Sequence, residues 1–136
     1  MGDRCYLKVV CRKADKKAFE ELGLVAHAEG EDTPEGFVRM FAEEANYACW
    51  DDLCTLAADG LKFSGWHDAG DEYPGAWFAT SETDELTSVD VTRGGPCVNV
   101  DYVDGKVHVD KGDAKRALAY FKANEALKKA WGFEGA

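Results

Sequence analysis

Apolar and polar residues alternate near the start of the chain, with Cys5, Leu7, Val9 and Cys11 on one side of a run that ends in charged residues. A period of two marks a strand with one buried face. The period then lengthens. Asp15 is placed to cap a helix reaching Leu22, with Ala18, Phe19 and Leu22 on one face and Gly23 as its stop. Residues 29–36 are polar and turn-rich. Residues 37–45 carry two periods at once. Phe37, Met40, Phe41 and Ala45 keep helical spacing, while Val38, Met40 and Ala42 alternate with Phe37, Arg39 and Phe41 as in a strand.

Beyond this ambiguous stretch the pattern is clearer. Residues 50–58 form a short helix whose stripe is Trp50, Leu53, Cys54 and Ala57, and Asp59-Gly60 ends it. Residues 61–66 and 76–80 read as partner strands across the polar turn 67–75. Residues 89–91 and 98–102 are further strands, separated by Gly94-Gly95-Pro96, and Asp104-Gly105 is a hairpin turn between residues 102–103 and 107–109. From Asp113 to about residue 131 the chain reads as one helix ended by Gly132, with Ala117, Tyr120, Phe121, Leu127 and Trp131 as its inward seam. Strands interleaved with helices predict an α+β fold over one domain, residues 1–136. The expected architecture is a ferredoxin-like two-layer sandwich, a mainly antiparallel sheet with its helices on one face.

The strand assignment at residues 37–45 comes from a resemblance. Glu43-Glu44-Ala45-Asn46-Tyr47-Ala48, then Leu53, Leu56, Gly60, Phe63, Gly65, His67, Ala69-Gly70, Glu72-Tyr73 and Phe78-Ala79, resembles a succession found in a group of uncharacterised bacterial and phage proteins with a similar Met-Gly-Asp-Arg start. More distantly the segment is similar to the YubB-type ferredoxin-like domains of plasmids and phages. The resemblance implies a strand leading into a helix and then a Gly- and aromatic-rich hairpin, and a protein of mobile elements. It transfers no catalytic residue.

Composition adds that 46% of the 136 residues are apolar and 12% aromatic, enough for a packed core. With 26 acidic and 16 basic side chains the net charge is −10, which disfavours direct binding to nucleic acid or to an anionic membrane and favours a basic partner. No run approaches the roughly 18 apolar residues of a membrane span, and the first residues show no secretory pattern. Tyr6 stands where a myristoylation motif needs Ser or Thr. Five cysteines without a CxxC pair suit free thiols, and the expected compartment is the cytoplasm.

The charge is uneven. Residues 1–28 carry +2, residues 29–59 carry −8, residues 60–110 carry −7 and residues 111–136 carry +3. An acidic centre of −15 therefore lies between basic ends, and Glu31, Asp32, Glu35, Glu44, Asp51 and Asp52 are the candidate acidic binding face.

Catalytic motifs are scarce. No nucleophile elbow, phosphate loop or paired zinc motif is present, and no catalytic residue, metal site or cofactor is assigned. A second candidate site is the loop His67, Asp68, Asp71, Glu72 and Tyr73, where one imidazole and three carboxylates could hold a divalent cation if the loop folds back on itself. The same residues suit a solvated turn. Glu44 and Asn46 on one strand face, with Glu43 and Tyr47 on the other, make a polar strand end able to bind a ligand.

The function expected from these features is a non-enzymatic acidic module, of phage or mobile-element type, that docks on a basic protein. It would act as a nucleic-acid mimic that inhibits a nucleic-acid-binding or host-defence system. The alternative is a small metal-dependent enzyme using His67, Asp71 and Glu72. Oligomeric state is left open.

Overall fold

The computed structural model describes residues 3–26 and 33–133. The alternating segment forms strand β1 (Arg4–Arg12), and a 3-10 turn (Lys13–Asp15) leads into the short helix α1 (Lys16–Glu20). Gly23, at φ 95°, turns the chain into the two-residue strand β2 (Val25–Ala26). The ambiguous stretch is a strand, β3 (Phe37–Asn46), followed by a 3-10 turn (Tyr47–Cys49) and helix α2 (Trp50–Ala58). Strands β4 (Phe63–His67), β5 (Gly75–Thr80), β6 (Leu86–Thr92) and β7 (Gly95–Pro96) follow, then the hairpin β8 (Val100–Val103) and β9 (Lys106–Val109), and helix α3 (Lys111–Trp131).

Seven strands form one sheet in the order β2-β3-β1-β4-β5-β6-β7, with antiparallel pairing throughout, and β8-β9 stands apart as a second, two-stranded sheet. This corrects the ferredoxin-like expectation. The large sheet has more strands than that sandwich, and its helices lie on both faces.

The reason is visible in β1. Leu7, Val9 and Cys11 are fully buried on one face with Phe63, Phe78 and Met40, under Phe19 of α1 and Leu53 and Ala57 of α2. Val10 points the other way and is also fully buried, in a second cluster with Ala79 and Val89 under Tyr120, Ala123, Leu127 and Trp131 of α3. A strand apolar on both faces needs cover on both. One helical layer cannot supply it.

Helix α3 also departs from its predicted seam. Ala123 is buried and Phe121 is exposed, and the first nine residues of the helix bury no side chain. Asp110 caps its start by accepting from the Asp113 N–H at 2.9 Å, and Gly132, at φ 78°, ends it.

Two outcomes follow from this packing. A Cβ on Gly65 would overlap the Lys8 carbonyl oxygen and lie 2.6 Å from Phe78 Cζ, so Gly65→Ala is expected to cost about 3 kcal/mol in urea denaturation. Burial, with Asp15 adding to it, pushes the Cys11 thiol from 9.0 up to about 12, and burial pushes the Tyr120 phenol from 10.0 up to about 12. The folded protein therefore holds these protons where the unfolded chain releases them. Stability is intact below pH 9 and falls towards pH 12, by about 1.4 kcal/mol per pH unit for each group in its window. In thermal melts Cys11→Ala should flatten the first part of that decline.

Candidate functional site

At the end of the sheet beyond the first turn of α2, the chain leaves β3 through a tight turn. Tyr47, Ala48 and Cys49 all have positive φ, at 48°, 56° and 53°. The left-handed region costs a non-glycine residue roughly 1–2 kcal/mol, so three in succession are kept only where the surroundings enforce them. The enforcement comes from both sides. Ala48 is buried against the core, and the Tyr47 N–H donates to the Asp3 carbonyl at 2.6 Å.

Asp3 also organises the polar loop between β4 and β5. Its carboxylate accepts from the Asp71 N–H at 2.8 Å and the Glu72 N–H at 2.7 Å, and its carbonyl accepts from the Tyr73 hydroxyl at 3.2 Å. Two successive N–H groups around one carboxylate make an anion nest filled from within the chain. Gly70 permits the approach, since a Cβ there would sit 2.6 Å from Asp3 Oδ1 and from the Tyr73 ring.

The turn and the loop close around a cavity of about 320 Å³ lined by Tyr47, Ala48, Trp50, His67, Tyr73, Pro74, Ala76, Ser88 and Asp90. Four rings follow one another along it. Tyr47 lies 6.1 Å from Tyr73, Tyr73 5.5 Å from His67, and His67 6.0 Å from Trp50, centroid to centroid. Ser88 and Asp90 come from β6, where Asp90 is the register partner of Ala76 and Ser88 of Phe78. Among the described residues no Lys or Arg lines this cavity.

The surrounding field is negative. Burial raises the Cys5 thiol first, with lesser upward contributions from Asp68 and Asp3 against a lowering hydrogen bond from Tyr73. Burial likewise raises Cys49, and Asp52 adds to it. Burial, reinforced by the Cys5 thiol, pushes the Tyr73 phenol well above its usual range, so that it stays protonated at neutral pH.

The loop residues singled out in the sequence separate here. His67 is 7% exposed and turned into the core, with its Nδ1 2.8 Å from the Asp68 carbonyl oxygen, whereas Asp68, Asp71 and Glu72 are exposed. Among the described residues no three His, Cys, Asp or Glu side chains gather to hold a metal. Tyr73 joins His67 in the cavity wall.

The acidic set is also distributed. Asp51 and Asp52 are exposed on the first turn of α2, next to Trp50. Glu44 is exposed near the end of β3 and lies 3.7 Å from Arg4 Nη1. Glu35 precedes the opposite end of β3, roughly 30 Å from Glu44 at the rise of an extended strand. Glu31 and Asp32 lie outside the described residues.

Sequence reasoning missed Asp3, Trp50 and Asp90 as site residues. Trp50 carried a core-stripe signal, and Asp90 alternated in a strand without neighbours to mark it. Asp3 acts across 68 residues of sequence.

Comparison with known protein families, curated proteins and solved structures finds no match. Among the described residues no helix is long and apolar enough to cross a membrane.

Asp3→Ala is expected to cost about 2 kcal/mol in urea denaturation, the worth of its charge-assisted hydrogen bonds. Asp3→Asn should recover part of that loss.

Proposed function

We propose that the protein is a non-enzymatic binding module whose acidic end docks on a basic protein and seats one of the partner's lysine side chains in the aromatic cavity. The observation that carries this reading is the lining itself: four contiguous rings and one carboxylate, with no Lys or Arg among the described residues around it.

Of the four rings, those of Tyr47, Trp50 and Tyr73 are of the kind that attracts an ammonium group, by about 0.5–1 kcal/mol at an exposed site and about 2 kcal/mol where water is excluded. Asp90 supplies the opposite charge at one side, and the exposed Asp51, Asp52 and Asp68 follow the cavity residues Trp50 and His67 along the chain. A negative field speeds the approach of a cationic partner and selects its orientation. Lysine fits the cavity better than arginine here because its ammonium is a compact point charge on a slender stem, whereas guanidinium favours a bidentate carboxylate fork.

The natural partner class is a protein whose basic surface otherwise serves nucleic acid, since an anionic face would compete for that surface. The five free thiols suit a reducing compartment, for which we propose the cytoplasm.

The test is a heteronuclear NMR titration with a short blocked peptide, acetyl-Gly-Lys-Gly-amide, and with its Nε-acetylated form as the neutral control. Shifts are expected at Tyr47, Trp50, Tyr73 and Asp90 with the charged peptide alone. Asp90→Asn and Tyr47→Ala should each weaken binding about tenfold, roughly 1.4 kcal/mol. Raising salt from about 0.1 M to 1 M, where the Debye length falls from about 10 Å to 3 Å, should weaken it further. Equal shifts from the acetylated peptide, or none from either, would sink the proposal.

A further inference from the structure

Exposed large apolar side chains are concentrated in one part of the molecule. Of eleven among the described residues, eight fall between Val98 and Phe121, in the β8-β9 hairpin, its approach and the first half of α3.

The hairpin is two-faced. Val100 is the register partner of Val109 and Tyr102 of Val107, which places these four on one face. Asp101 opposite His108 and Val103 opposite Lys106 occupy the other. Every residue of both strands is exposed, with Tyr102 at 76% and Val107 at 66%. A lone two-stranded hairpin is marginal in water, and this one has its apolar face uncovered.

It is nonetheless held at its base. The Asp110 N–H donates to the Asn99 carbonyl and the Asn99 N–H to Asp113 Oδ2, both at 2.9 Å, which ties the hairpin to the first turn of α3. The turn Asp104-Gly105 has φ of 51° and 75°, as a tight two-residue hairpin turn requires.

The adjoining half of α3 exposes a second apolar strip. Ala114, Leu118 and Phe121 follow at helical spacing, with Leu118 at 54% exposure, and Lys111, Lys115 and Lys122 stand beside them. In the hairpin Asp104, in the turn between the two faces, carries the opposite charge, while Asp101 and Lys106 offset each other on the far face. Apolar strip and charge therefore match between the hairpin of one molecule and the helix of another.

We propose that the chain forms a two-fold symmetric dimer in which the apolar face of each β8-β9 hairpin lies on the Ala114–Leu118–Phe121 strip of the other copy's α3. A second copy is the favoured occupant because both complementary halves are present in the same chain and a two-fold axis satisfies both together. The hairpin leaves the strip on its own molecule uncovered, since every residue of both strands is exposed and so are Leu118 and Phe121. The inference is independent of the aromatic cavity, which involves neither surface.

Sedimentation velocity on the full chain, from roughly 10 μM to roughly 1 mM, tests it across the range of ordinary transient interfaces. The wild-type protein is expected to shift from monomer to dimer with concentration. A hairpin variant, Tyr102→Ser with Val107→Ser, and a helix variant, Leu118→Ser with Phe121→Ser, should each weaken association at least tenfold. Their circular dichroism should stay native, since these side chains lie outside both cores. Mixing the two variants should restore a heterodimer, because one intact hairpin then meets one intact helix. A wild-type protein that stays monomeric throughout overturns the proposal, as does dimerisation indifferent to the variants. Absence of rescue on mixing overturns the hairpin-on-helix arrangement.

Discussion

The double burial of β1 is the constraint on which the rest of the structure depends. Leu7, Val9 and Cys11 close one face and Val10 the other, so the sheet needs helices on both sides. Pairing of β1 with β3 on one edge and β4 on the other leaves it central, with Leu7–Cys11 in register with both neighbours. Gly65, beside Val9, lets the Phe78 ring reach across the sheet into the same cluster. The two cores thus lie on opposite faces of the one sheet, and β1 and β5 each contribute side chains to both.

The site at the sheet end uses that rigidity. Three residues in the left-handed region are held by the buried Ala48 beneath and the Asp3 carbonyl beside them. Asp3, one residue before β1 begins, also holds the loop carrying Tyr73. The central strand therefore sets both walls of the cavity. His67 takes its place as the last residue of β4, facing α2 with its ring against Trp50, Tyr73 and Phe78. An imidazole so enclosed serves as a wall, whereas the exposed carboxylates of its own loop remain outside.

Charge is arranged by layers as well as along the chain. The acidic first turn of α2 lies on one side of the sheet, and α3, with six basic and two acidic residues, lies on the other. The basic α1 shares the α2 side, so the two basic ends of the sequence do not merge into one surface. The two proposed surfaces therefore lie on opposite sides of the sheet, the aromatic cavity on the α2 side and the apolar strip on α3.

Element type was largely legible. Cys5 to Cys11, Trp50 to Ala58 and Asp104-Gly105 each carry local signals, namely period two, period 3.6 and turn geometry, which need no distant partner to be read. Residues 37–45 supported two periods, and it was pairing with β1 that decided for a strand. Phe121 showed the same limit in reverse. Its spacing suited the seam, but the face that packs on the sheet runs through Ala117, Tyr120, Ala123 and Leu127 and leaves Phe121 exposed. Of the cavity, His67 and Tyr73 were marked by their polar loop, while Asp3, Trp50 and Asp90 were brought there by strand register and by contacts across the chain. The sequence by itself determined most of the long strands and helices, residues 37–45 excepted, and where charge accumulates along the chain, because those properties are local. Tertiary structure alone decided that the helices flank the sheet on both sides and that four rings meet one carboxylate, because both depend on which strands become neighbours.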